Sequence, residues 1–275
     1  MNKIILSALL LIFLAPAGTA AYEFDTGRKI GMGGSVMLSS PDPADMLTCP
    51  VGTPIPGRLY FETGYQRKFE LSDLDKFYVA AGYRYKNFST TIGLSQFGES
   101  DYYSEQALRA ALSYTFSRFT ASVIADGQYV SVGEGEDKVT LDAAAVGLAA
   151  GINYDKYHLG VVVDNINRPK LDENLVPDNT LYKIYAEVQG MSKLSITGHI
   201  VFEEHEEPMA SFGQYLTLLD SHALFWGVGA NPITYGGGLE ISYRGYGLTY
   251  AVSYHPELGV THNIALNIAS GGLLD

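Results

Sequence analysis

The stretch Tyr246-Gly247-Leu248-Thr249-Tyr250-Ala251-Val252-Ser253-Tyr254-His255 sets Leu248, Tyr250, Val252 and Tyr254 on one side of an extended chain and Gly247, Thr249, Ala251, Ser253 and His255 on the other. Period-two alternation over ten residues predicts a strand. Two more segments repeat it. In one, Leu194, Ile196, Ile200 and Phe202 oppose Ser195, Thr197 and His199; in the other, Leu108, Ala110, Leu112, Tyr114 and Phe116 oppose Arg109, Ala111, Ser113 and Thr115. Alternation alone fits a soluble sandwich with its apolar face inward and a membrane barrel with its apolar face outward. A soluble β-sandwich enzyme therefore stays open as an alternative.

The connections favour the barrel. Tight turns are expected at Lys86-Asn87, Ser117-Arg118, Asp155-Lys156, Met191-Ser192, Asp220-Ser221 and around Gly245. Longer polar connections are expected at Leu71 to Asp75, Gly98 to Ser104, Gly133 to Asp137, Asn165 to Asn179, Glu203 to Glu207, Asn231 to Ile233 and His255 to Gly259. Short and long connections alternate, as they do in an up-and-down barrel of membrane strands about 9 to 11 residues long. The count is about fourteen, an even number that puts both chain ends on one side. A count of twelve stays open, because Arg118 to Ser131 has mixed faces and Met209 to Leu219 alternates poorly. Tyr60, Tyr78, Tyr85, Tyr182, Tyr235, Tyr243 and Tyr254 are candidates for aromatic girdles at the membrane interfaces.

Outward from the strands, residues 1–20 read as a secretory signal peptide: Lys3, an apolar run from Ile4 to Leu14, then the small residues Gly18-Thr19-Ala20; a retained N-terminal anchor is the alternative. Residues 21–56 form a separate segment with Gly31, Gly33, Gly34 and five prolines, too rich in both for a regular helix or strand. It is expected to be an irregular N-terminal hatch or plug within the lumen, with Gly31, Gly33, Gly34 and Asp45 as its candidate working residues; a flexible tail is the alternative. Residues 57–275 make the barrel.

After removal of the signal, 30 acidic residues face 17 basic ones, a net charge of about -13, which speaks against nucleic acid as a partner. Cys49 is the sole cysteine, so no internal disulfide forms. Chemistry-bearing patterns are weak. Glu203-Glu204-His205-Glu206-Glu207 offers oxygen and nitrogen ligands but matches no specific metal spacing, and His255, Glu257 and His262 are explained by turn chemistry. Gly31-Met32-Gly33-Gly34 lacks the strand and final glycine of a dinucleotide fingerprint, and hydrolase signatures are missing. No catalytic residue, metal or cofactor is expected. If the apolar faces meet lipid, then Glu62, Arg84, Arg109, Asp142, Asp164, Lys183, Glu187, Glu240 and Arg244 point into the lumen, either pairing to stiffen the wall and hold the hatch or guiding a substrate.

The segment Gly27-Arg28-Lys29-Ile30-Gly31-Met32-Gly33-Gly34-Ser35-Val36 resembles the start of the FadL-type and PorV/PorQ-like outer-membrane barrels. Where that group carries Asn-Pro-Ala-Gly-Leu, this chain has Cys49-Pro50-Val51-Gly52. Leu159 to Pro169 and Tyr250 to Leu266 resemble a mid-barrel strand and the last hairpin of the same group. The resemblance implies a fourteen-stranded barrel with an N-terminal hatch; together with the alternation and the even strand count, the expectation is an all-β, antiparallel transmembrane barrel in the Gram-negative outer membrane, both termini periplasmic. FadL-type members take up fatty acids or other hydrophobic compounds, and PorV-like members handle cargo in type IX secretion. The implied partners are outer-membrane lipid and lipopolysaccharide, with a hydrophobic small-molecule ligand or a secreted protein cargo. A purely structural or interaction barrel is the remaining alternative.

Overall fold

The computed structural model describes residues 24–52, 58–98, 102–133, 138–172, 175–190 and 193–270. The expected signal peptide lies outside the described residues. Fourteen strands follow in order: β1 Leu59–Arg67, β2 Asp75–Tyr85, β3 Phe88–Phe97, β4 Tyr103–Phe116, β5 Phe119–Val132, β6 Val139–Tyr154, β7 Tyr157–Asp164, β8 Leu181–Gln189, β9 Leu194–Glu203, β10 Met209–Leu219, β11 His222–Ala230, β12 Thr234–Tyr243, β13 Tyr246–His255 and β14 Gly259–Ala269. Each pairs antiparallel with the next. β1 closes on β14, with Tyr60 opposite Ala269 and Arg67 opposite His262. The sheet is a closed cylinder of fourteen strands, not twelve.

Two-residue connections sit at one rim: Lys86-Asn87, Ser117-Arg118, Asp155-Lys156, Asp220-Ser221 and Arg244-Gly245. Lys86, Ser117, Asp155 and Arg244 take positive φ there, the conformation that folds a chain back within two residues. The turn expected at Met191-Ser192 falls outside the described residues. β1 begins and β14 ends at this rim, where β8 also connects to β9, and the other seven connections lie at the opposite one.

Along each strand the alternation resolves in favour of lipid outside. On β4, Ala111 is 3% exposed and faces inward, whereas Leu112 is 54% exposed and faces outward. Leu94, Val123, Leu148, Val161, Ile184, Leu224, Trp226, Leu248 and Ile264 continue the outward apolar belt. A closed cylinder with such a belt is a surface for hydrocarbon to cover. Tyr85, Tyr182, Tyr235, Tyr243 and Tyr254 stand on the outside. Tyr60 and Tyr78 do not. They are 5% and 1% exposed and lie within the barrel.

The two stretches with poor alternation are both strands. β5 carries Ile124 on its inner face, where it packs with Val36, Leu38, Cys49 and Val51. β10 carries Tyr215 inward against Met32 and Phe225, and its ladder slips between Thr217 and Leu219. An inner face that packs on protein rather than water accepts apolar residues, and this erases the pattern.

What it packs on is residues 24–52. Helix α1, Gly27–Gly31, starts at Thr26, whose Oγ1 accepts the Lys29 amide at 2.9 Å. Gly33 and Gly34 then reverse the chain at positive φ. Helix α2, Pro43–Thr48, begins with proline at its first turn. The end of α1 and the following Met32 lie against a row of wall glycines in register, Gly213 of β10, Gly227 of β11 and Gly236 of β12. A side chain at Gly227 would collide with the Met32 backbone, and one at Gly236 with the carbonyls of Ile30 and Gly31. The absence of side chains in this row lets the backbone of the segment reach the wall.

Gly227→Val is therefore expected to weaken docking of the segment by about 1–3 kcal/mol. Trypsin should then cut at Arg28 and Lys29 in an otherwise intact barrel. Unchanged cleavage would refute the groove.

Candidate functional site

The polar inner wall and residues 24–52 meet in three charged nodes separated by three apolar clusters. In the first node, Arg28 of α1 holds three carboxylates. Its Nε donates to Glu240 of β12 at 3.0 Å, Nη1 to Asp45 at 3.1 Å and to Ser40 Oγ at 2.7 Å, and Nη2 to Asp42. Its guanidinium lies 5.7 Å from the Tyr215 ring centre. Burial opposes the charge on Arg28, but Glu240 and Asp45 outweigh it, so the group titrates above its ordinary value. Burial raises the Asp45 carboxyl against the pull of Arg28 and the hydrogen bond from Thr26. Beside this node Glu62 of β1 accepts from the Tyr78 hydroxyl at 2.7 Å and the Ala44 amide at 3.2 Å.

The second node lies on β4, β5, β7 and β8. Arg109 donates to the Leu47 carbonyl at 2.8 Å, to Asp126 at 3.1 Å and to Asp164 at 2.8 Å, and Lys183 reaches Asp164 at 3.2 Å. In the third, Asp25 faces Lys29 and Lys76 at 3.2 Å and Lys68 at 3.6 Å. Between the nodes, Ser39 donates to Glu187 of β8 through its amide at 2.8 Å and its hydroxyl at 2.5 Å. Pro50 accepts from Ser113 and Ser122, and Val51 from Asn153.

Of the candidates read from the sequence, Glu62, Arg109, Asp164, Lys183 and Glu187 are buried and inward, and Glu240 is inward. Arg84 occupies the last inward position of β2 and donates to the Lys86 carbonyl at 2.8 Å, out at the turn. Asp142 and Arg244 lie elsewhere. Asp142 is exposed on the outer face of β6 opposite Tyr129. The run Ala143 to Gly151 is small or apolar on both faces, so alternation could not set its parity. Arg244 is the first residue of a two-residue turn, its guanidinium 5.2 Å from the Tyr243 ring centre. Gly31, Gly33 and Asp45 are buried at the contact between segment and wall. Arg28, Asp25, Lys76 and Asp126 escaped the sequence reading. Parity with Tyr78 and Ala80 was available for Lys76; for Arg28 only the structure shows its reach to Glu240.

Cys49 is buried in the apolar cluster with Val51 and Ile124, and burial pushes its thiol up, so it is chemically quiet while the segment is docked. A cavity of about 480 Å³ opens toward the two-residue-turn rim. It is bounded by Arg28, Met37, Asp42, Tyr60, Tyr215 and Glu240.

Among solved structures, the chain is similar to a mutant of the TodX monoaromatic hydrocarbon channel, with TM-score 0.53 and 12% identity over 90% of this chain and 98% of that one. It shares the closed β-barrel fold of that protein. Further matches are KdgM porin, with TM-score 0.45 and 8% identity over 76% of this chain and 98% of that one, and a mutant of the Rh. blastica porin, with TM-score 0.42 and 11% identity over 77% and 98%. No family model matches the chain, and no curated protein matches it.

Replacing Arg109 by Leu leaves Asp126 without its cation and the Leu47 carbonyl without its donor. The change is expected to cost about 3–5 kcal/mol. The Cys49 thiol should alkylate faster in that variant while the barrel keeps its heat-resistant mobility on gels. Alkylation at the parent rate would remove Arg109 from the support of the segment.

Proposed function

We propose that this barrel is an outer-membrane channel for small hydrophobic molecules, and that residues 24–52 act as its hatch. The observation that carries the reading is a lumen filled by a segment of the chain itself, held without covalent bonds and bordered by a cavity of small-molecule size. About 300 to 1,000 Å³ is the usual span of such sites. Met37, Tyr60 and Tyr215 give this one an apolar and aromatic side, Arg28, Asp42 and Glu240 a polar one.

In this reading the two-residue turns and both ends of the barrel face the periplasm of a Gram-negative cell, and the longer connections face outward. Gly33 and Gly34 supply a pivot that other residues would resist. A ligand entering beside Met37 competes for the contacts that dock α1, and the hatch shifts while the wall stays. The FadL-type resemblance supports this version, as does the fold shared with a hydrocarbon channel. Cargo handling of the PorV kind has less behind it. A protein-docking site calls for an apolar patch, and the connection between β9 and β10 instead exposes Glu204, Glu206 and Glu207.

Deleting residues 24–52 is expected to raise single-channel conductance in planar bilayers by about an order of magnitude, the increase a lost plug predicts. In the intact protein, toluene used as an apolar probe should speed alkylation of Cys49, which reports displacement of the segment. Equal conductance with and without the segment would overturn the hatch. A Cys49 rate indifferent to toluene would overturn gating by hydrophobic ligands.

A further inference from the structure

Four of the two-residue turns share one frame. Tyr85-Lys86-Asn87-Phe88, Phe116-Ser117-Arg118-Phe119, Tyr154-Asp155-Lys156-Tyr157 and Tyr243-Arg244-Gly245-Tyr246 each place an outward aromatic on either side of a turn that carries one Lys or Arg. The two aromatics of each frame are directly opposite in the ladder: Tyr85 with Phe88, Phe116 with Phe119, Tyr154 with Tyr157 and Tyr243 with Tyr246. All eight rings are exposed on the outer surface. Three of the four cations lie on these rings. Lys86 Nζ is 5.2 Å from the Tyr85 ring centre, the Arg118 guanidinium 4.2 Å from Tyr154, and that of Arg244 5.2 Å from Tyr243.

Lys193 adds a fifth exposed cation at the same rim. Asp155 and Asp220 are the acids of these turns, and neither forms an ion pair with the five cations among the described residues. The opposite rim is acidic on balance, exposing Glu70, Asp73, Glu204, Glu206, Glu207 and Glu257 beside Arg67, Lys138, Arg168 and Lys170. Charge is thus sorted along the barrel axis although the chain as a whole carries -12.

We infer that the four frames are binding sites for anionic phospholipid headgroups of the leaflet at the two-residue-turn rim. The aromatic pair lies against the upper acyl chains and glycerol, a position that suits rings with an apolar body. The turn cation stands where a phosphate arrives. For Lys86, Arg118 and Arg244 a ring face fixes the direction of the cation without neutralising it, so it keeps its attraction for an anion. Each basic residue near an anionic surface is worth about a fivefold shift in partitioning, and several around one rim bias both the lipid chosen and the orientation of the barrel. The inference rests on the membrane reading, but not on the hatch or on any transported ligand.

The test is native mass spectrometry of the full-length barrel in micelles doped equally with phosphatidylcholine and phosphatidylglycerol. Retained phosphatidylglycerol should exceed phosphatidylcholine by about an order of magnitude. The combined variant Lys86→Gln, Arg118→Gln, Lys156→Gln and Arg244→Gln should lose that preference. A control with Lys138→Gln, Arg168→Gln and Lys170→Gln at the other rim should keep it. Should the combined variant fail to fold, Arg118→Gln alone is expected to lower the preference measurably. Equal retention of both lipids by the parent, or an unchanged preference in the variant, would overturn the inference. Displacement of phosphatidylglycerol by inorganic phosphate, but not by chloride of the same ionic strength, would reassign the frames to free phosphate and overturn it too. If the folded parent holds neither lipid and stays out of vesicles, the membrane reading itself fails.

Discussion

A backbone amide or carbonyl facing hydrocarbon without a partner costs several kcal/mol, and everything in this molecule is arranged under that constraint. The antiparallel ladder answers it strand by strand, and the seam from Tyr60 opposite Ala269 to Arg67 opposite His262 answers it for the last edge. Once the sheet is closed, its outer side chains are free to be Leu, Val, Ile and aromatic. The inner ones must then be matched to whatever occupies the cylinder. In a water-filled channel that would be a polar lining. Here residues 24–52 occupy it, and the inner wall is a mosaic.

The mosaic divides labour between apolar and charged contacts. Phe24, Leu47 and Tyr78 form one apolar cluster, Val36, Leu38, Cys49 and Val51 with Ile124 another, and Met32 with Phe225 a third. They supply burial but little direction, since apolar contact is not directional. Direction comes from the charged nodes. Arg28 can satisfy Asp42, Asp45 and Glu240 together only if α1, α2 and β12 stand in one relation, and Arg109 ties the Leu47 carbonyl to β4, β5 and β7 in the same way. Removing either guanidinium strands buried carboxylates, so the nodes make the docked position distinct from neighbouring ones rather than simply stronger.

Much of the wall was legible in the sequence because its signal is local. Alternation in Leu108 to Phe116 and Tyr246 to His255, with turn residues at Lys86-Asn87 and Asp155-Lys156, is written within ten residues of chain. The interior was less legible for two reasons. Where the wall meets the segment, as at Ile124 and Tyr215, an apolar residue is correct on either face, so parity disappears; where both faces are small, as from Ala143 to Gly151, it is absent, and Asp142 stands on the side opposite to the expected one. Tyr60 and Tyr78 show the same limit for aromatics, which suit a lipid interface and a packed interior equally. Arg28 lies more than two hundred residues from Glu240 along the chain, and no pattern within a window of sequence carries that relation.

The glycine row of β10, β11 and β12 and the contacts of the segment with β6, β8 and β14 place residues 24–52 against nearly the whole circumference of the wall. A cylinder whose contents touch so much of its wall is not loaded afterwards, since chains seldom thread through closed openings. The order of assembly follows. The segment has to be gathered among the strands while the sheet is still an open, curling ribbon, and the zipping of β1 onto β14 is the step that traps it. Seen this way, the sheet is rolled around its contents, and the seam closes over a segment already in place.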